Sequence, residues 1–171
     1  MSDESHVVPE HQDPDVHPLK AELTEIRSLI QSARFDDADF RLSAVMEQPL
    51  DAFFEGEALY TLAVLRRYQK RLDEALEALE KLTSLQPEHG RAFQEMGYCL
   101  FAQGSFPGAT AAFSRAVELN PALAASWKAL ANLHKQSGQT GRGRFALAQA
   151  EHLESLPREL VVVKDLFHEG K

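Results

Sequence analysis

The chain has 171 residues, 44% of them hydrophobic, and a formal net charge of -8 from 18 basic and 26 acidic residues. This is enough apolar material for one sizeable core, and the acidic balance argues against nucleic acid and anionic membrane as partners, which both need a basic surface. The single cysteine, Cys99, excludes an intrachain disulfide and a cysteine-based zinc cluster.

Residues 1–17 carry five acids and no Lys or Arg. With so little to bury, this segment is expected to be a disordered acidic tail, neither a secretory signal nor a metal site despite His6, His11 and His17. No apolar run approaches the roughly 18 residues that a membrane span requires. The expected setting is therefore the cytoplasm.

From Pro18 the pattern is helical. Proline suits the first turn of a helix, where its missing N–H would lack a partner anyway. Leu23, Ile26, Leu29 and Ile30 form one apolar face. A second helix is expected from about Asp36 to Glu47, with Ala38, Leu42 and Val45 on one side and Gln48-Pro49-Leu50 as its break.

A repeat comes next. Leu59, Phe93 and Trp127 stand 34 residues apart, as do Leu62, Met96 and Leu130; Ala63, Gly97 and Ala131; Ala75, Ala109 and Gly143; Leu79, Phe113 and Leu147; and Leu82, Ala116 and Ala150. The small series mark close helix approach, and large residues such as Phe93, Trp127, Phe113 and Leu147 are expected to fill the space beside them. Gly104 and Gly138 suit the left-handed conformation that ends a helix. Asn120 reads as an N-cap, with Pro121 as the first helical residue. One helix pair cannot bury its own apolar faces, so stacked pairs make a solenoid. The arginine-containing Gly141–Arg144 run reads as a turn with a close-packing glycine, not a phosphate loop.

This pattern resembles the tetratricopeptide repeat, on the 34-residue period, the series from Phe93 to Pro121 and the Trp127…Leu130-Ala131 start. The resemblance implies an all-α, right-handed α-solenoid of helix-turn-helix repeats. We expect repeats at 56–89, 90–123 and 124–157, preceded by a degenerate repeat at 19–52 joined through about three extra residues. Arg66 and His134 depart from the usual bulky residue and are expected to weaken their helix pairings. Residues 158–171 are read as a capping helix or as the first helix of a further repeat, because Leu160, Val163, Leu166 and Phe167 leave apolar surface that calls for a neighbour. That surface could also pair two chains as a homodimer.

In such an array the first helices line a concave face. The second, fifth, ninth, twelfth and thirteenth residues of each repeat are expected to point into it. They are Glu57, Tyr60, Val64, Arg67 and Tyr68; Arg91, Gln94, Tyr98, Phe101 and Ala102; and Ala125, Lys128, Asn132, Lys135 and Gln136. Four of these are basic and one acidic, against the sign of the whole chain. The expected ligand is a protein or peptide segment with apolar or aromatic and acidic groups. Lys128 and Asn132 stand where some such repeats begin a carboxylate clamp, but the next helix offers Val161 and no full clamp forms. Cys99 and His134 read as packing residues and Glu74, Glu77, Glu80 and Lys81 as a solvated outer face. No catalytic motif, metal site or cofactor loop is recognisable.

The first reading is therefore a protein-interaction scaffold. The segment from Ala148 to Lys171 also resembles the junction between repeats in bacterial tetratricopeptide-repeat sulfotransferases. That resemblance implies more repeats and a sulfuryl-transfer domain after Lys171, and no residue here carries such chemistry. Length and acidity likewise resemble the small chaperones of type III secretion.

Overall fold

A computed structural model describes residues 17–157. The acidic tail as far as residue 16, the expected helix at 158–171 and the chain pairing built on it lie outside the described residues. The described residues form eight helices: α1 (Pro18–Gln31), α2 (Phe35–Met46), α3 (Ala52–Tyr68), α4 (Leu72–Leu85), α5 (Gly90–Ala102), α6 (Phe106–Leu119), α7 (Ala124–Gln136) and α8 (Thr140–Ser155). Each packs on its neighbour in sequence, and α1, α3 and α5 also contact one another in succession. The result is an all-α solenoid of four antiparallel helix pairs.

The pairs share one turn. Ala33, Lys70, Gly104 and Gly138 have φ of 57°, 64°, 79° and 76°. At each turn the next residue's N–H donates to a carbonyl five positions back: Arg34 to Leu29, Arg71 to Arg66, Ser105 to Leu100 and Gln139 to His134. The left-handed residue itself donates three positions back: Ala33 to Ile30, Lys70 to Arg67, Gly104 to Phe101 and Gly138 to Lys135. This double closure satisfies the last carbonyls of each first helix and reverses the chain. The last three turns are 34 residues apart and the first is 37 before the second, so α1–α2 is a repeat with three extra residues in its link.

Close packing tracks the small residues. A Cβ at Gly97 would stand 2.7 Å from the Phe113 ring, so only glycine lets α5 approach α6 there. One at Gly143 would lie 3.2 Å from the Ala131 carbonyl oxygen, which sets the α7–α8 approach. Ala63, Ala75, Ala109, Leu79, Leu82 and Phe113 are all buried.

Four expectations change. Asn120 is not an N-cap: it ends α6 in extended conformation, its Oδ1 accepts from the Ala122 N–H at 3.0 Å, and α7 starts at Ala124. A Cβ at Gly90 would come 3.0 Å from the buried Asn120 Cβ, so this bend packs on the start of α5. Arg66 does not weaken its pair. Its guanidinium donates twice to Asp39, at 2.7 and 2.9 Å, and reaches Glu74 at 3.3 Å, tying α3 to α2 and α4 and holding the Asp39 carboxyl below its ordinary value. Trp127 is half-buried, its indole N–H on the Pro121 carbonyl at 3.0 Å. Leu147 does not fill a core: it is 44% exposed.

This geometry has two measurable outcomes. Lys70→Gly and Ala33→Gly should each stabilise the fold by about 0.5–1 kcal/mol in urea titrations, because relief of the left-handed penalty exceeds the entropy that glycine adds to the unfolded chain. Gly97→Ala should destabilise it by about 1–3 kcal/mol in the same measurement, as overpacking against an aromatic ring does.

Candidate functional site

The first helices α1, α3, α5 and α7 are joined to one another by side chains. Each of α3, α5 and α7 carries a buried polar residue that receives a donor from the preceding first helix. Thr61, fully buried, accepts from Arg27 Nε at 3.1 Å, and the same guanidinium pairs with Glu57 at 2.5 Å. Glu95, 7% exposed, accepts from Arg67 Nε at 2.6 Å. Ser126, fully buried, accepts from the Gln94 amide at 2.9 Å. A buried polar group without a partner would cost stability, so these bonds fix the spacing of the row.

Thr61 and Glu95 occupy the sixth position of successive repeats. The repeat register gives that position no binding role, so Glu95 was not among the expected site residues, and neither was Arg27. The available signal was a pair of polar residues one repeat apart within otherwise apolar helix faces.

The row brings several expected residues into one cluster. The Arg67 guanidinium lies 4.6 Å from the Tyr68 ring centroid and 5.4 Å from that of Tyr98. Arg27 stands 5.9 Å from the Tyr60 ring, whose other neighbour is His89 at 5.4 Å. Arg91, half-buried, acts electrostatically on both Tyr60 and Glu95. Burial raises the Glu95 carboxyl above its ordinary value even though Arg67 and Arg91 draw it down. Burial likewise pushes the Tyr60 hydroxyl up to about 12 and the Cys99 thiol up to about 11, so this cysteine is a packed thiol with no nucleophilic character.

The remaining expected residues divide. Val64 is half-buried against the first core cluster, and Tyr98 packs edge-on against Phe113 at 5.1 Å, so both are partly structural. Tyr68 and Phe101 are exposed, at 47% and 43%, and Asn132 and Lys135 are also exposed. Lys128 pairs with Glu154 of α8. Phe101 meets Phe106 edge-on at 5.5 Å, and beside Phe106 a cleft of about 550 Å³ is lined by Leu133 and His134. The face thus keeps its cations but holds three of them, Arg27, Arg67 and Lys128, against acids. No group of His, Cys, Asp and Glu among the described residues is placed to hold a metal ion, and no helix among them is long and apolar enough to cross a membrane.

Residues 60–124 match the tetratricopeptide repeat family model. The chain is similar to a crystal structure of MamA, with a TM-score of 0.67 over 82% of this chain and 80% of that one, at 17% identity. MamA from Desulfovibrio magneticus RS-1 aligns with a TM-score of 0.65 over 80% and 75%, also at 17% identity. At that identity the likeness shows the fold, a tetratricopeptide-type α-solenoid. The mouse protein O-mannosyl-transferase TMTC1 is 33% identical over 78 residues, which are 46% of this chain. The matched stretch spans only 8% of that protein's length.

The buried acid makes the fold's pH response testable. A carboxyl whose folded value is raised binds its proton more tightly in the folded state, so its contribution to stability falls as pH rises from about 4.5 through the folded value. Urea titrations across that window should show this downward slope in the native chain relative to Glu95→Gln, which lacks the ionisation.

Proposed function

We propose that this chain is a protein-interaction scaffold that holds a segment of a partner polypeptide along the face of its first helices. The observation that carries the reading is the cluster in which the Tyr68 and Tyr98 rings lie beside Arg67 while Glu95 holds that guanidinium. Aromatic rings with one wet edge and a pre-positioned cation give contact area at small entropic cost. Such a face favours apolar or aromatic side chains, seated over Tyr68 and Phe101. Because Arg67 and Lys128 are already paired, acidic groups of the partner turn to the exposed Lys135, and they contribute orientation and encounter rate more than affinity.

Nothing in the described cluster supports covalent chemistry. Its one buried acid is committed to an arginine and its thiol is held protonated, so we assign this chain no catalytic step of its own. The partner is recognised through side-chain chemistry on an extended or helical segment, which is the way a helical array offers one continuous surface.

Tyr68→Ser combined with Phe101→Ser tests the reading, since both rings are exposed and their loss leaves the core intact. Partners would first be identified by cross-linking and mass spectrometry, then titrated as purified proteins. The double variant should bind at least about tenfold more weakly, on the order of 1.4 kcal/mol, with an unchanged helical spectrum. Equal binding by native chain and variant would refute the proposed face.

A further inference from the structure

We propose that the cleft between the start of α6 and the end of α7 is a second docking site, separate from the Arg67 cluster, for a partner segment that carries an aromatic side chain between acidic ones. The repeat itself makes this cleft an exception. Asp39, Asp73 and Pro107 hold the same position in successive repeats, as do Gln69, Gln103 and Ser137. At the first junction, α2 to α3, Arg66 donates to both Asp39 and Gln69, at 2.7 and 2.8 Å. At the second, α4 to α5, the Gln103 amide donates directly to Asp73 at 2.7 Å. At the third, α6 to α7, Pro107 has no side-chain acceptor, and the Ser137 hydroxyl donates to the His134 carbonyl of its own helix at 3.1 Å. The polar bridge that closes the first two junctions is not built at the third, and the cleft of about 550 Å³ stands there.

The lining selects the central side chain of the ligand. Its apolar part is Phe106, Pro107 and the buried Leu133, and the rest is hydroxyl, amide and imidazole groups with no acid among them. Phe106 is 47% exposed and already meets Phe101 edge-on at 5.5 Å, a pairing that a further ring extends. The volume also lies within the range of roughly 300–1,000 Å³ in which proteins hold ligands.

Charge selects the residues that flank the ring. Residues 96–150 hold five basic side chains and one acid, Glu118, in a chain whose net charge is -8. Glu118 is paired with Arg115 at 3.2 Å. Arg142 donates to the side chain of the lining residue Gln139 at 3.1 Å, which sets a cation on the rim of the cleft. The recess between α3 and α4 has the opposite character, with Glu55, Glu77 and Glu80 in its lining. An acidic segment is therefore drawn to the first recess and repelled by the second.

Titration of the isotope-labelled chain with the tripeptide Glu-Phe-Glu, acetylated and amidated at its ends, tests this by NMR. The amides of Thr110, His134, Ser137 and Gln139 should shift and saturate, with half-saturation at about 1 mM or below. Glu-Ala-Glu should bind at least about tenfold more weakly, as loss of a buried aromatic side chain requires. Pro107→Asn combined with Ser137→Gln rebuilds the bridge of the second junction without adding a charge, at two exposed positions, and should abolish binding. Arg142→Gln should weaken it about twofold to fivefold, the range of an exposed ion pair. Absence of saturable shifts in the native chain, or the same shifts in the bridged variant, would overturn the proposal. So would equal binding of Gln-Phe-Gln, since the cleft would then have no preference for acids, and so would shifts at these amides on dilution of the free chain, since a second copy would then be the occupant. Tyr68 and Phe101 are unchanged in every variant, so the face of the first helices stands or falls by its own test.

Discussion

Everything in this fold depends on the chain reversing direction within two residues after each first helix. That reversal requires one residue in the left-handed region, and it recurs at Ala33, Lys70, Gly104 and Gly138. The paired hydrogen bonds at each turn hold two helices antiparallel in one register. With the turn settled, the same positions meet in every pair, and small residues at Gly97 and Gly143 let the helices close. Packing then accumulates from one pair to the next.

The second layer of organisation is polar. Thr61, Glu95 and Ser126 are buried on three successive first helices, and each takes a donor from the helix before it. An apolar core orients helices loosely, because many hydrophobic contacts are nearly equivalent. A buried carboxylate hydrogen-bonded to an arginine is less tolerant, since misplacing it leaves a charge without a partner. The ladder therefore spaces the helices that carry the candidate binding face, and it uses Arg27, Arg67 and Gln94 to do so. Residues of the proposed binding face and residues that build the array are in part the same.

The balance of charge on that face shows the consequence. The side chains in the row are rich in cations, yet Glu57, Glu95 and Glu154 hold three of them. Arg67 is less a free charge than a rigid plate between two tyrosines. Its guanidinium presents a planar face, edge donors and flanking rings in a fixed arrangement, which suits selective contact better than long-range attraction.

The helices, the 34-residue step, the small-residue series and the two glycine turns were legible in the amino-acid order, because these are local or periodic properties that each residue type expresses on its own. Tyr60, Arg67, Tyr68 and Tyr98 could be placed on one face for the same reason. How polar side chains pair was not legible, because it depends on contacts between distant parts of the chain. Whether Arg66 weakens a helix pair or clamps Asp39 depends on a residue 27 positions away, and whether Arg67 is free depends on Glu95, 28 positions away. The fate of Asn120 is of the same kind: its side chain can cap a following helix or close a turn after a preceding one, and in the folded array it closes the turn. Leu147 and Phe113 share one register position, and their difference in burial was not legible, because burial belongs to the neighbour that covers a residue and not to the residue itself.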